Sequence, residues 1–352
     1  MHVPDGFINA PVSAAAGVVA AGAVAVSLRG ARRELDERTA PLAGLVAAFV
    51  FAAQMLNFPV AAGTSGHLLG GALAAILVGP FTGVLCLSVV LLMQGILFAD
   101  GGLTALGVNI TVMGVVTTVV GYAVFRALVK VLPKKRPSIT VSAFVAALLS
   151  VPAAAAAFTL VYAVGGTTDV PIGQVLTAMV GVHLLIGIGE ATITALTVGA
   201  VIAVRPDLVY GARGLTAPLK LRVNGELVDA PATEPVPVAA RSPRTLLLAG
   251  LVTSLLLAGF VSFYASANPD GLEKVAADKG IDAKAEDHAA ADSPLADYGV
   301  QGITDSRLSG GLAGAIGVGV TVVAGTGVFW AVRRRRTGGT SPASTSDIPG
   351  NA

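Results

Sequence analysis

Two histidines and a chain terminus carry the first chemical signal. His2 follows the initiator directly, and so large a side chain at position 2 obstructs initiator removal, so the free amine is expected on Met1. The Met1 amine, the His2 amide nitrogen and a His2 ring nitrogen can then close consecutive chelate rings around one divalent ion, and a further nitrogen would complete a planar set. Such donors suit late first-row ions, whereas Mg2+ and Ca2+ prefer oxygen. The chain has only four histidines in 352 residues. His67, which follows the turn-like Gly63-Thr64-Ser65-Gly66, has two readings: the missing nitrogen, or a capping histidine bonded to a backbone carbonyl. His288 lies in an acidic polar stretch and is given no ligand role.

Other polar groups stand where they need a reason. Asn57, in Gln54-Met55-Leu56-Asn57-Phe58-Pro59, closes an apolar segment that Pro59 terminates. It can orient the N-terminus or an imidazole, or make an ordinary interhelical hydrogen bond. His183 and Glu190 fall about two turns apart on one helical stripe. Ionisable groups at membrane depth are costly and point to function by default. Glu190 can pair with His183 or Asn109, guide a cation, or lock the bundle. No phosphate-binding Walker sequence, Gly-x-Ser-x-Gly or His-Glu-x-x-His is present. The single cysteine, Cys86, excludes an intrachain disulfide and any cysteine-rich metal site. No ATPase domain is visible, which leaves room for the chain to be one subunit of a pump driven by another.

The elements that position these groups are membrane helices. The chain is 54% hydrophobic and 12% charged, where a soluble domain has roughly 25% charged residues. A net charge of +2 and no basic surface give nucleic-acid binding no support. The pattern of a secretory signal, one apolar stretch followed by a polar mature region, is absent. Apolar segments fall at 11–28, 41–58, 67–79, 81–98, 104–128, 138–165, 173–203, 245–266 and 311–331, which makes the chain an all-α polytopic membrane protein with nine crossings. Segment 67–79 is short, and Gly79-Pro80 alone separates it from its successor, so 67–98 could instead be one kinked span.

Charge placement decides between these readings. Of 23 Lys and Arg, 19 cluster near Arg29 to Arg38, Arg126 to Arg136, Arg205 to Arg244 and Arg333 to Arg336. With nine crossings every cluster lands on one side, which the positive-inside rule makes cytoplasmic; with 67–98 fused, the first cluster lies opposite the rest. Met1 is therefore expected outside and the C-terminus inside, in a multi-pass cell-membrane protein. Residues 1–210 form a seven-span unit, 211–244 a Pro-containing extended cytoplasmic linker, 245–332 a two-span unit around an outer loop, and 333–352 a cytoplasmic tail. The outer loop is net negative, and its Ala/Asp/Glu/His-rich stretch from Lys284 to Asp292 is expected to be mobile in part. Small residues such as Gly70-Gly71 and Gly311 to Gly319 are assigned to close helix packing.

The opening Met1-His2-Val3-Pro4-Asp5-Gly6-Phe7 resembles the substrate-binding membrane component of cobalt/nickel energy-coupling factor transporters, the CbiM/NikM family, with Val3 in place of the usual Ile. The resemblance extends through Gln54 to Val60, Gly63 to Gly71, Gln94 to Asp100, Gly107-Val108-Asn109, Gly181-Val182-His183 and Gly187 to Ala191, covering about residues 1–210. It implies a seven-helix permease whose Met1 amine, His2 amide and imidazole, and His67 imidazole hold the ion in a planar nitrogen site. Asn57, Ser65 and Gly66 would shape the surrounding loop, and Asn109, His183 and Glu190 are carried as an intramembrane network. Asn268-Pro269-Asp270-Gly271-Leu272-Glu273 and Ser293 to Tyr298 are similar to the PDGLE domain, a two-helix auxiliary unit often fused to such permeases.

The implied function is import of Ni2+ or Co2+, carried as substrate with no resident cofactor. The implied partners are a CbiQ/NikQ-like transmembrane coupling subunit, CbiO/NikO-like cytoplasmic ATP-binding subunits and membrane lipid. A membrane metal sensor or assembly factor that does not transport is the alternative.

Overall fold

Long runs of Ala, Leu, Val and Gly without charge leave the backbone one way to satisfy its hydrogen bonds away from water, which is helix. A computed structural model describes residues 1–37, 39–61, 63–213, 220–223, 226–229 and 244–337. Among the described residues, seven stretches are long and apolar enough to cross a membrane: Ala10–Glu34, Pro80–Leu97, Leu106–Val131, Arg136–Gly165, Ile172–Val204, Arg244–Tyr264 and Ser306–Arg334. In element order these are α1 (Ala10–Glu34), α4 (Pro80–Leu97), α5 (Leu106–Asn109) continuing through a π-helical stretch into α6 (Thr117–Val131), α7 (Arg136–Gly165), α8 (Ile172–Val204), α9 (Arg244–Gly259) and α11 (Ser306–Thr337). Their outer faces carry apolar side chains such as Val18, Leu160, Leu196, Leu248 and Val323, each 62% to 73% exposed. Exposed apolar surface of that kind suits lipid.

Two of the nine expected spans are shorter helices. α2 is Thr39–Gln54, and α3 is only Gly71–Val78. Eight residues rise about 12 Å, less than half of the hydrocarbon core. Residues 65–70 are not helical and supply the rest of that passage. The passage runs from the Met1 end of the bundle to the opposite end, where Gly79 abuts the Glu34 carboxylate, which also accepts from the Thr82 amide at 2.7 Å. Gly79-Pro80 therefore separates two elements, and residues 67–98 are not one helix.

A broken helix leaves its first amides without intrahelical acceptors. Glu190, fully buried on α8, accepts from the amides of Leu69 at 2.6 Å and Gly70 at 3.1 Å, just ahead of α3. Irregular backbone at membrane depth is tolerated where protein satisfies it in this way.

α11 and α9 pack along α2, so the C-terminal helices lie against the rest of the bundle. Their approach depends on small residues: a Cβ on Gly317 would stand 2.2 Å from the Phe51 ring. Arg333 at the foot of α11 meets Glu37 at 3.3 Å, placing this end of α11 beside the α1–α2 turn. The helix continues through Thr337 rather than giving way to a tail at 333, and residues 338–352 lie outside the described residues. In the connection expected to be extended, β3 (Lys220–Val223) and β4 (Glu226–Asp229) form an antiparallel hairpin, and the remainder lies outside the described residues.

The outer loop is more ordered than its composition suggests. α10 (Gly271–Lys279) opens it, and backbone groups pin the rest. Glu286 donates its amide to Asp5 O at 3.0 Å, Asp297 donates to Phe98 O at 2.9 Å, and the Ser293 hydroxyl donates to Leu97 O at 2.6 Å. Order here comes from main-chain hydrogen bonding to the α4 end and the N-terminal segment. Hydropathy does not register such bonds.

Candidate metal site

The first nine residues form no helix, yet they are threaded into the protein. Val3 is fully buried and held at both backbone groups: its amide donates to Asn109 Oδ1 at 2.8 Å, and its carbonyl accepts from Asn109 Nδ2 at 3.1 Å and from the Gly102 amide at 2.9 Å. Asp5 accepts from the Thr104 amide at 2.8 Å and the Leu103 amide at 3.2 Å. Thr167, beyond α7, donates its hydroxyl to Gly6 O at 2.7 Å, and Asn9 caps α1 through Val12 N at 3.1 Å. Gly101, at φ +80°, permits the close approach, since a Cβ there would lie 3.2 Å from His2 Cβ.

That threading delivers the Met1 amine to a buried position 2.8 Å from His67 Nε2. His67 Nδ1 lies 3.0 Å from Leu68 O, and a carbonyl can only accept, so Nδ1 carries the proton and Nε2 keeps its lone pair when the ring is neutral. The two readings of His67 thus belong to its two nitrogens: one bonds a backbone carbonyl and the other faces the amine. The His2 ring stacks on the His67 ring, with centroids 5.2 Å apart. Its Nε2 stands 3.2 Å from Gln94 Oε1, and its Nδ1 stands 3.2 Å from Asp100 Oδ1. Burial is the main cause that pushes the His2 ring down to about 4, toward the neutral imidazole that binds metal, while the Asp100 carboxylate opposes the shift.

The third wall of the site is Asp270, from the segment after α9. Its Oδ2 forms an ion pair with the Met1 amine and lies 3.6 Å from His67 Nε2. Burial by itself would raise this carboxyl, but the Met1 ammonium and the neighbouring His67 ring outweigh it and hold Asp270 well below the usual carboxylate range. His2, His67 and Asp270 are all buried, with ligand atoms within 4.8 Å of one another, a spacing that fits one metal ion. A cavity of about 570 Å³ adjoins them, with His2, Asn57, His67, Asp100, Asp270 and His288 among its walls.

The other expected residues have separate duties. Ser65 donates its amide to Pro269 O at 2.8 Å and its hydroxyl to Asn268 O at 2.7 Å, which fixes the chain just ahead of Asp270. Gly66 lets the short β1–β2 pair (Phe58–Pro59 with Ser65–Gly66) sit against Ile186, 2.5 Å from where a Cβ would be. Asn57 accepts from Ser266 N at 2.7 Å through its carbonyl; Asn109, not Asn57, orients the N-terminus. Asn109, His183 and Glu190 do not join as one network. Asn109 holds Val3, His183 Nδ1 donates to Met179 O at 2.8 Å, and Glu190 caps the break before α3. Seven residues along a helix rise about 10 Å, so His183 and Glu190 share a stripe without touching.

Comparison with known proteins matches two separate stretches of the chain. The family description "Cobalt uptake substrate-specific transmembrane region", CbiM, matches residues 2–208, and the PDGLE domain matches residues 244–334. The chain belongs to the CbiM family. This CbiM-family chain is the substrate-binding transmembrane component of a nickel/cobalt-type energy-coupling factor transport system, a permease and not an enzyme. A putative metal transport protein of Haloquadratum walsbyi is 39% identical over 210 residues, 60% of this chain and 94% of that one. A putative fused nickel transport protein, NikMN, of Archaeoglobus fulgidus is 39% identical over 209 residues, 59% of this chain and 68% of that one. A crystallised transition metal transporter is 27% identical with a TM-score of 0.52, over 58% of this chain and 93% of that chain.

Proposed function

We propose that the chain captures Ni2+ or Co2+ through the Met1 amine, the His2 amide and imidazole nitrogens, and His67 Nε2, and hands the ion on for import. The observation that carries this reading is the buried Met1 amine 2.8 Å from His67 Nε2, with the His2 ring stacked beside it. Turning the His2 ring from Asp100 toward the amine would bring its Nδ1 into the set. Planar nitrogen donors suit Ni2+, and the fused two-unit layout, like that named in the Archaeoglobus relative, inclines the reading to nickel.

Orientation follows from charge. Arg29, Arg32, Arg33, Arg213 and Arg333 lie toward the end of the bundle opposite Met1, so the positive-inside rule turns the metal site outward and the C-terminus toward the cytoplasm. A CbiQ/NikQ-like coupling subunit and CbiO/NikO-like ATP-binding subunits would supply the free energy. The domains divide as a permease over 1–210, a linker over 211–244 and a PDGLE unit from 245 that takes in α11 through Thr337, with the tail after it.

The test is uptake of Ni2+ against Co2+ by cells that carry the chain with its energising partners. His2→Ala and His67→Ala should each abolish accumulation. Binding without uptake in the complete complex would turn the assignment toward a metal sensor.

A further inference from the structure

Asp270 comes from the C-terminal unit, and its two oxygens face different tasks. Oδ1 accepts from the amides of Leu272 at 2.7 Å and Glu273 at 2.9 Å, capping α10, while Glu273 returns a bond to the Asp270 amide at 2.8 Å. This reciprocal cap fixes the carboxylate plane. Oδ2 is left aimed at the Met1 amine and His67 Nε2. The chain on either side is seated on the permease. Ser65 holds Asn268 and Pro269, and Gly271 fits so closely that a Cβ would stand 2.7 Å from Ile186 Cδ1 and 3.0 Å from His183 Cε1. A carboxylate serving only the cap would need neither that aim nor burial beside two nitrogen donors.

We infer that Asp270 Oδ2 is a fifth donor to the cation, so that the metal site is shared between the permease and the PDGLE unit. The inference rests on the capture reading above, in which Met1, His2 and His67 hold the ion. Two consequences follow from the chemistry. Four nitrogens in a plane favour spin-paired Ni2+, whereas an added axial oxygen gives a five-coordinate, high-spin ion and makes the site more hospitable to Co2+. Linkage makes the second consequence reciprocal: if docked α10 tightens cation binding, the cation stabilises docked α10 by the same factor.

Asp270→Asn separates cap from ligand. Asn is as good a cap as Asp, so its carbonyl keeps the bonds to Leu272 and Glu273 while an NH2 replaces Oδ2. The experiment loads the full-length chain, in lipid nanodiscs, with Ni2+ alone and measures affinity, magnetic susceptibility and amide hydrogen exchange over residues 270–279. The wild-type complex should be paramagnetic, and Ni2+ should slow exchange in α10. D270N should bind about ten-fold or more weakly, give a spin-paired complex and lose the protection of α10. A spin-paired wild-type complex, or equal affinity in wild type and D270N while His67→Ala abolishes binding, overturns the fifth donor and leaves the nitrogen set standing. Failure of the wild-type chain to bind Ni2+, or binding unaffected by His67→Ala, overturns the capture reading itself.

Discussion

Replacing Asn109 by Ala should weaken metal binding although Asn109 contacts no ligand atom. The substitution removes the acceptor of the buried Val3 amide at 2.8 Å and one of two donors to the Val3 carbonyl, which keeps the Gly102 amide at 2.9 Å. An unsatisfied buried amide costs about 1–3 kcal/mol and a lost neutral hydrogen bond about 0.5–1.5 kcal/mol. Roughly 2–4 kcal/mol is thus taken from the seated state of residues 1–3, while Asp5 and Thr167 still hold the chain from residue 5 onward. A binding-competent fraction reduced by that amount raises the measured Kd in proportion, by about ten-fold for each 1.4 kcal/mol. Some of the cost disappears as the freed terminus meets water, so a weakening of about ten- to a hundred-fold is expected. Competition dialysis against a chelator of known affinity, on a variant with wild-type helicity and elution, measures it. Unchanged Ni2+ affinity in such a variant would refute the idea that the threaded N-terminus preorganises the site.

Acid should oppose metal capture. Ligation by the His2 amide nitrogen expels its proton, so affinity rises with pH, whereas the His2 ring, pushed down to about 4 by burial, competes only at lower pH. Titrations from pH 8 to pH 5 that show a flat affinity would rule out amide ligation. Stability of the metal-free chain has its own pH window. The folded His2 value of about 4 lies below its unfolded value of 6.5, so the unfolded state binds more protons between them and stability falls as pH falls from 6.5 toward 4. Asp270, held low by Met1, acts in the same direction at still lower pH. Thermal unfolding across that range should show the decline, which His2→Asn should lessen. Glu190→Ala leaves the Leu69 and Gly70 amides without their acceptor and should destabilise the fold by about 2–6 kcal/mol, whereas Glu190→Gln, with one carbonyl left, should cost less; equal unfolding profiles for all three chains would contradict the capping role.

What the sequence made legible follows from where its information is local. Helices from Ala10, Pro80, Arg136 and Ile172 are visible because apolar length is a property of contiguous residues. Met1, His2 and His67 were nameable because their chemistry is unusual in an apolar chain, and the structure brings them together. α3 was harder: residues 67–70 are apolar enough to read as helix, and only the distant carboxylate of Glu190 explains how their amides are satisfied outside one. Asp270 was missed as a neighbour of the site. Asp270-Gly271-Leu272-Glu273 does carry the local signature of a helix cap, Asp followed three residues later by Glu. The second oxygen of that cap faces a residue 269 positions away, and no local pattern encodes such a meeting. The order of the loop around His288 was missed for the same reason: its ring lies 3.2 Å from Gly101 O, a partner that composition cannot reveal.

The central claim is that the chain's own first nitrogen binds the cargo. Its most direct test is the number of Ni2+ ions bound per full-length chain with a free Met1 amine and with that amine acetylated. Acetylation turns the amine, buried 2.8 Å from His67 Nε2, into an amide and leaves no free amine in the chelate. One ion per chain with the free terminus and none with the acetylated one is the expected result. Equal binding by the two chains would contradict the account.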